Sequence, residues 1–444
     1  MMRGLILFRR QLHVISRSET SIIKPSSPTP GNLKQYNLSL HDRMMPNSYI
    51  PAIFFFANIT SSSDQKSTIA NLLKNSLSEM LSKYYPCAGR LRSCGSYVDC
   101  NDEGAQFVEA HIDCKLSHVL ERAPAKEHEE GLGHLFPPKA IWDKLNAEEQ
   151  SSLVLVQLNH FTCGGIAIAV SLSHCIGDAI TFFSFISYWA GLSRHSGEHQ
   201  KILHLRPHIV HELQPRSIDN HNITFDYPDP EKYWITKEIV FQNCNIAKLK
   251  ASVEIKDKLQ GLKEPDYTRN ELVTALIYRC LVSAAATSNS GEYAKSFLCQ
   301  MVNIRPMIDP PLPQTRVGNF IDYNNIPTST ESETELNLLV ERIRNGRKQL
   351  RENKNVDENT AIATEFRRSR RIFAISSICN LPLYEMDFGW GRPVKATIVD
   401  TLLADCIILM DTSSGDGIKA IVSLEEQDMK NFLDNKDLLA YGKF

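Results

Sequence analysis

The stretch Gly165–Leu192, GIAIAVSLSHCIGDAITFFSFISYWAGL, contains two structural elements and the turn that joins them. Up to Leu172 it is an apolar run of strand length. From Ala179 it is an aromatic-rich run of helical length. Between them stands His174-Cys175-Ile176-Gly177-Asp178, the one place where an aspartate follows any of the 14 histidines by four residues. Imidazole titrates near neutral pH, so a histidine at the mouth of a buried strand can serve as a general base. An aspartate opening a helix can cap it, and Gly177 allows a tight turn between strand and helix. A helix cap beside a structural histidine is the reading this pair leaves open by itself.

Working outward, Leu153–Leu158 reads as the strand paired with Gly165–Leu172. Ala52–Ile59 reads as a core strand, and Ser67–Lys83 as an amphipathic helix stopped by Pro86. Val98–Cys100 and Gln106–Ala110 read as a hairpin around Asp102-Glu103-Gly104. Gly191–Pro230, with six of the histidines and four prolines, reads as a long crossover linker. His204, His208 and His211 have helical spacing there, but Pro207 and Pro215 argue against a helix that could present them to a metal. The second half opens with a strand at Ile235–Phe241 and helices at Asn243–Lys256 and Thr268–Val282. A strand at Ala294–Asn303 and a charged helix at Glu331–Glu352 follow. Ala396–Leu403, Asp405–Met410 and Gly417–Leu424 read as three closing strands. The order is mixed α/β, without the strict βαβ rhythm of a doubly wound sheet.

A second word, Asp387-Phe388-Gly389-Trp390-Gly391, lies more than 200 residues downstream. With His174–Asp178 it makes the chain resemble the BAHD family of plant acyl-CoA-dependent acyltransferases. The resemblance extends through His13–Ser16, Ile23–Pro30, Asn37–Asp42, Tyr84–Leu91, Val98–Gly104, Thr268-Arg269, Val302–Arg305 and Gly318-Asn319, in family order. The wording is most similar to the family's alkaloid-acylating branch.

The resemblance implies a two-domain fold like chloramphenicol acetyltransferase, with the active site in a channel between the domains. The expected boundaries are 12–205 and 221–444, with a linker at 206–220 and a segment near 373–400 that packs with the first domain. It implies transfer of an acyl group, acetyl first, from acyl-CoA to a hydroxyl of a specialised metabolite, an alkaloid before any other. His174 is the general base. Asp178 pairs with Arg305 and is structural, as are Gly177, Asp387, Gly389, Trp390 and Gly391. Thr268 and Arg269 match the family's CoA contact, and a helix N-terminus there favours phosphate. Ser376 and Asn303 are candidates for the oxyanion or the acceptor. One departure stands out: Ser376-Ser377-Ile378 occupies the place of the family's Thr-Ser-Trp, and Ile378 has no indole N–H to donate. The alternatives are a volatile or terpenoid alcohol, an amine acceptor, or a relative that binds a metabolite without turnover.

Composition bounds the rest. A chain of 444 residues, 42% apolar and 23% charged, is globular and too long for one core. A net charge of −2 gives no nucleic-acid footprint. Arg367–Arg371 is a solvated basic run or a site for CoA phosphates. The 11 cysteines contain no CxxC pair and read as reduced thiols, so neither a zinc nor a redox site is expected. No GxSxG elbow occurs. Cys175 should face away from its neighbour His174, so no covalent acyl-enzyme is expected. No apolar run of 18 residues occurs, so no membrane span is expected. The arginine-flanked segment Met1–Arg10 reads as an upstream extension or an organelle-targeting leader. A cytoplasmic monomer that needs no bound cofactor or metal is the expectation.

Overall fold

The computed structural model describes residues 15–57, 59, 62–92, 95–121, 132–138, 140, 151–195, 204–209, 234–259, 266–352, 371–399 and 404–444. The leader reading at Met1–Arg10, most of the crossover linker, His211 and Arg367–Arg370 fall outside these.

Two six-stranded mixed sheets organise the chain. In the first, the order is β1 (Ile15–Ile23), β6 (Ala105–Ile112), β7 (Val154–Phe161), β8 (Ile166–Ser173), β3 (Tyr49–Phe56) and β13 (Lys395–Ile398). In the second it is β11 (Ile321–Thr328), β10 (Ser296–Asn303), β12 (Arg371–Ser377), β14 (Cys406–Asp411), β15 (Gly417–Glu425) and β9 (Trp234–Gln242). A small sheet joins β2 (Gln35–Asn37), β5 (Tyr97–Asp99) and β4 (Arg90–Leu91).

Strands β3, β7 and β8 are buried along their whole length, which is why they read as unbroken apolar runs rather than alternating ones. One face of β8, with Ile168, Val170 and Leu172, packs with helices α2 (Ser63–Lys83) and α4 (Ala179–Arg194). The other face presents Ala167 and Ala169 to a smaller core with Leu116, Leu135 and Phe136. The second sheet packs Leu298, Phe373, Ile407 and Val422 against helices α5 (Asn243–Leu259), α6 (Arg269–Ser288) and α7 (Leu336–Glu352). Helix α6 is long and apolar enough to cross a membrane, and most of it lies inside this core.

One expectation about strand pairing needs correction. Val98–Cys100 and Gln106–Ala110 do not form a hairpin: β5 pairs with β2 and β4, and β6 pairs with β1 and β7. Asp102 turns the chain with φ +62°, and its carboxylate accepts from the Thr29 amide at 3.0 Å and from Lys34 Nζ at 2.6 Å. These bonds tie the connecting loop to the segment after β1 and steer the two strands into different sheets. Of the three closing strands, only β14 and β15 pair together. Strand β13 ends at Ile398 and pairs antiparallel with β3, from Lys395 opposite Phe55 to Ile398 opposite Ala52. A segment from late in the chain therefore completes the first sheet.

Candidate active site

Strand β8 stops at Ser173, and a single 3-10 turn, His174–Ile176, leads into α4. The His174 backbone is held from two sides. Its amide donates to the Ser48 carbonyl at 2.9 Å, and its carbonyl accepts from Asn319 Nδ2 at 2.8 Å. The ring is half-buried, and its Nδ1 has no hydrogen-bond partner. Burial pushes the imidazole below the ordinary histidine range, while Asn319 and the Asp178 and Asp42 charges pull less strongly the other way. The ring is therefore neutral, and able to take a proton, at neutral pH.

Asp178 turns away from it. Its Oδ1 caps α4 by accepting from the Thr181 amide at 2.9 Å. Arg305 meets it as a fork, with Nη1 to Oδ2 at 2.7 Å and Nη2 to Oδ1 at 3.0 Å. The Phe320 amide also donates to Oδ2 at 3.0 Å. Arg305 is fully buried over the Phe320 ring, and its remaining N–H groups reach the Arg316 and Gly318 carbonyls. This pair joins the two halves of the chain just behind the turn.

Gly177 departs from its expected reason. Its φ is 178°, extended backbone that any residue adopts. What excludes a side chain is crowding, since a Cβ there would sit 2.4 Å from Thr181 Cγ2. Thr181 cannot readily yield, because its hydroxyl donates to Gly318 O and accepts from Arg305 Nη2.

Cys175 shares the 3-10 turn with His174, so strand alternation does not set its direction. Its thiol lies against Pro46 and Asn47, and burial pushes it up to about 12, so it is not a thiolate.

Asn303 accepts from the Arg305 amide at 3.1 Å and donates to Gln314 Oε1 at 3.2 Å, so its carboxamide is engaged in holding the Arg305 segment. Ser376 lies on the face of β12 opposite the second core, and Ile378 just beyond is buried in the first core. The parallel strands β10, β12 and β14 all end on this edge of the sheet. Helix α6 begins at the same edge, where Asn270 Nδ2 donates to Ser377 Oγ at 2.8 Å. Thr268 closes a capping box with Glu271, so the helix start already holds a carboxylate. Arg269 remains half-exposed. It donates to the Gly415 carbonyl at 3.3 Å and stands 3.7 Å from Asp411.

The Asp387–Gly391 turn lies at the far end of α4, about 24 Å from its start at 1.5 Å per residue. Asp387 Oδ1 accepts from the amides of Gly389 and Gly391 at 2.8 and 2.9 Å, and both glycines have positive φ, +116° and +99°. Phe388 is buried edge-on to Trp189 and stacked on Trp390. The turn braces the helix that carries Asp178 and has no contact with His174.

Sequence reasoning missed the support beneath His174. Asp42 is buried and accepts from the Asn319 amide at 2.8 Å and from Asn319 Nδ2 at 2.9 Å, which orients the side chain that holds the His174 carbonyl. Both residues belong to words quoted only for their resemblance. The local signal was Ser39-Leu40-His41-Asp42, a capping box that does form.

A mixed α/β chain with two packed halves and a histidine with an unpaired Nδ1 at the turn between β8 and α4 has the two-domain fold of the chloramphenicol-acetyltransferase-like class. The model of the Transferase family matches residues 13–439, and the chain belongs to that family, the BAHD acyltransferases. It is 37% identical over 439 residues to akuammiline synthase 1 of Alstonia scholaris, covering 97% of this chain and 98% of that one. It is 34% identical to 17,18-epoxy-17-hydroxycur-19-ene N-malonyltransferase of Strychnos nux-vomica, covering 97% and 90%. It is 33% identical to deacetylvindoline O-acetyltransferase of Catharanthus roseus, covering 95% and 96%. The crystal structure of vinorine synthase superimposes with a TM-score of 0.80 at 28% identity, covering 96% of this chain and 98% of that one. The chain is an acyl-CoA-dependent acyltransferase.

Proposed function

We propose that this enzyme moves an acetyl group from acetyl-CoA to a hydroxyl of an alkaloid, with His174 as general base. The observation that carries this is the geometry of the turn: His174 stands at the end of β8 with its Nδ1 unpaired, while Asp178 is locked to Arg305. His174 takes the hydroxyl proton as the oxygen attacks the thioester carbonyl, and the ring later returns it to the departing thiolate. Ser376, with a hydroxyl at the strand edge facing the junction, is the donor to the tetrahedral oxyanion. Asn303 serves by fixing Arg305, and through it Asp178. Arg269 is the cation for a CoA phosphate, while Thr268 is occupied as a cap. The two substrates meet at His174 from opposite mouths of a channel between the halves, so that neither displaces the other. The similarity to deacetylvindoline O-acetyltransferase supports acetyl on oxygen, and the similarity to akuammiline synthase 1 supports a specialised metabolite as the acceptor.

Purified enzyme with acetyl-CoA and a library of alkaloid alcohols, read by mass spectrometry, should give an O-acetyl product. Initial-rate lines should intersect when both substrates are varied, and acetyl-CoA alone should leave no labelled protein. Parallel lines with a trapped acyl-enzyme would replace direct attack by a covalent relay. Faster turnover with malonyl-CoA or with amines would move the donor or the acceptor class.

A further inference from the structure

Building on that transfer, we propose that Tyr323 and Asn325 on β11 read a second polar group of the acceptor, a hydrogen-bond donor such as an N–H. Met301, Cys299 and Ala374 would carry its apolar body.

Alternation fixes which side chains share a face. Asn324 donates from Nδ2 to the Ile343 carbonyl of α7, and Ile326 packs in the second core. Tyr323 and Asn325 therefore point to the opposite face. The register places Met301 opposite Tyr323, Cys299 opposite Asn325, and Ala374 beside Cys299 on the other flank. The five form one continuous patch, and Ser376 continues it toward the sheet edge near His174.

Among the described residues this patch is less tightly covered than the rest of the face, although Cys299 at its centre is buried. Strands β10 and β12 are interior strands, yet Met301, Ala374 and Ser376 are only half-buried. Further across the same face Ile408, Met410 and Ile421 are sealed into the first core, with exposures of 7%, 0% and 2%. The N-terminal half thus covers one side of the second sheet and leaves the other as a wall.

The polar groups on that wall are available to a ligand. Asn325 Oδ1 is buried without a hydrogen-bond partner, a desolvated acceptor that an incoming donor would satisfy. Burial holds the Tyr323 phenol protonated, so it can donate in turn. Phe320, whose amide binds Asp178, precedes these residues by three and five positions, about 10 and 17 Å at 3.3–3.4 Å per residue. A fused polycycle is as long as the shorter of these spans, and a small volatile alcohol is not.

The test uses acetyl-CoA and polycyclic indole and indoline alcohols supplied as matched N–H and N-methyl pairs. The wild type should favour the N–H member of each pair. Asn325→Leu should raise KM for that member by about tenfold, the loss of one buried hydrogen bond, with the N-methyl member and acetyl-CoA changed by less than about twofold. Asn325→Asp keeps the acceptor and the shape, so it should keep the preference, which guards against a Leu variant that folds poorly. Equal losses on both members, a raised KM for acetyl-CoA, or an Asp variant without the preference would overturn the proposal. If the wild type acetylates small alcohols but none of these polycycles, this inference and the alkaloid assignment fall while acyl transfer to a hydroxyl stands. If no alcohol is acylated, the proposed function itself falls.

Discussion

At the start of α4, Asp178 and Gly177 are buried, and the carboxylate is locked to a fully buried arginine from the other half of the chain. At its end, a half-buried Asp387 and two exposed glycines form a turn, and the carboxylate faces Arg194 at 3.5 Å. The residue types are the same and their use differs. The first glycine is required because nothing else fits against Thr181, whereas the second pair is required by positive φ. The first aspartate compensates a charge that has no water, and the second mainly accepts backbone amides. One helix thus has a buried, charge-compensated end beside the base and a more exposed, braced end remote from it.

The largest test of this contrast is His174→Ala, which should lower turnover by roughly 10²–10⁴-fold. Asp387→Asn should leave the chemical step near the wild-type rate. Because burial lowers the His174 pKa, the acid limb of kcat/KM should fall below pH about 6.5, the ordinary imidazole value. A limb above that value would mean the ring is stabilised in its charged form, against the lowering by burial.

Next comes Asp178→Ala, which strands Arg305 in the interior. The expected loss is roughly 3–5 kcal/mol in denaturant unfolding, often seen as insolubility. An unchanged melting temperature with abolished activity would instead make Asp178 part of the chemistry.

Gly177→Ala should follow, at about 1–3 kcal/mol from overpacking against Thr181. Gly389→Ala should cost about 1–2 kcal/mol from its backbone alone, because the nearest neighbour to a new Cβ is Arg194 Cα at 3.6 Å. Calorimetry on both separates crowding from conformation: adding Thr181→Ser should recover part of the first loss and none of the second.

The smallest effect belongs to the Asp387 charge. The opposing pull of burial is outweighed by the Gly389 and Gly391 amides and Arg194, which hold the carboxyl below the usual range. Its stabilisation is therefore present above the unfolded value near about 4 and is lost as pH falls through the lower folded value. In Asp387→Asn the amides keep an acceptor, so the loss should stay below about 1 kcal/mol. A larger loss would show the turn to be as tightly coupled as the other end.

The strand and helix of Gly165–Leu192 were legible because one short window contains their periods and the cap between them. The amphipathic helices, β7, β14 and β15 were legible for the same reason. The hairpin at Asp102 was misread because two adjacent strands with a turn between them look alike whether they pair together or part. The partners that separate them, β2 and β4 for one and β1 and β7 for the other, lie outside that stretch of chain, as do Thr29 and Lys34, about 70 residues from Asp102. The support of His174 by Asp42 and Asn319 was hidden similarly, since the two lie 277 residues apart.

The sequence by itself determined the element types, the His174-to-Asp178 turn and the family, because each rests on local periodicity or on ordered words. Tertiary structure alone decided that Gly177 is excluded from being larger by Thr181, that Asp42 and Asn319 together hold the His174 backbone, and that the strands flanking Asp102 part into different sheets. Those outcomes depend on what a side chain meets across the fold, and burial, charge compensation and steric contact exist only once distant segments have been brought together.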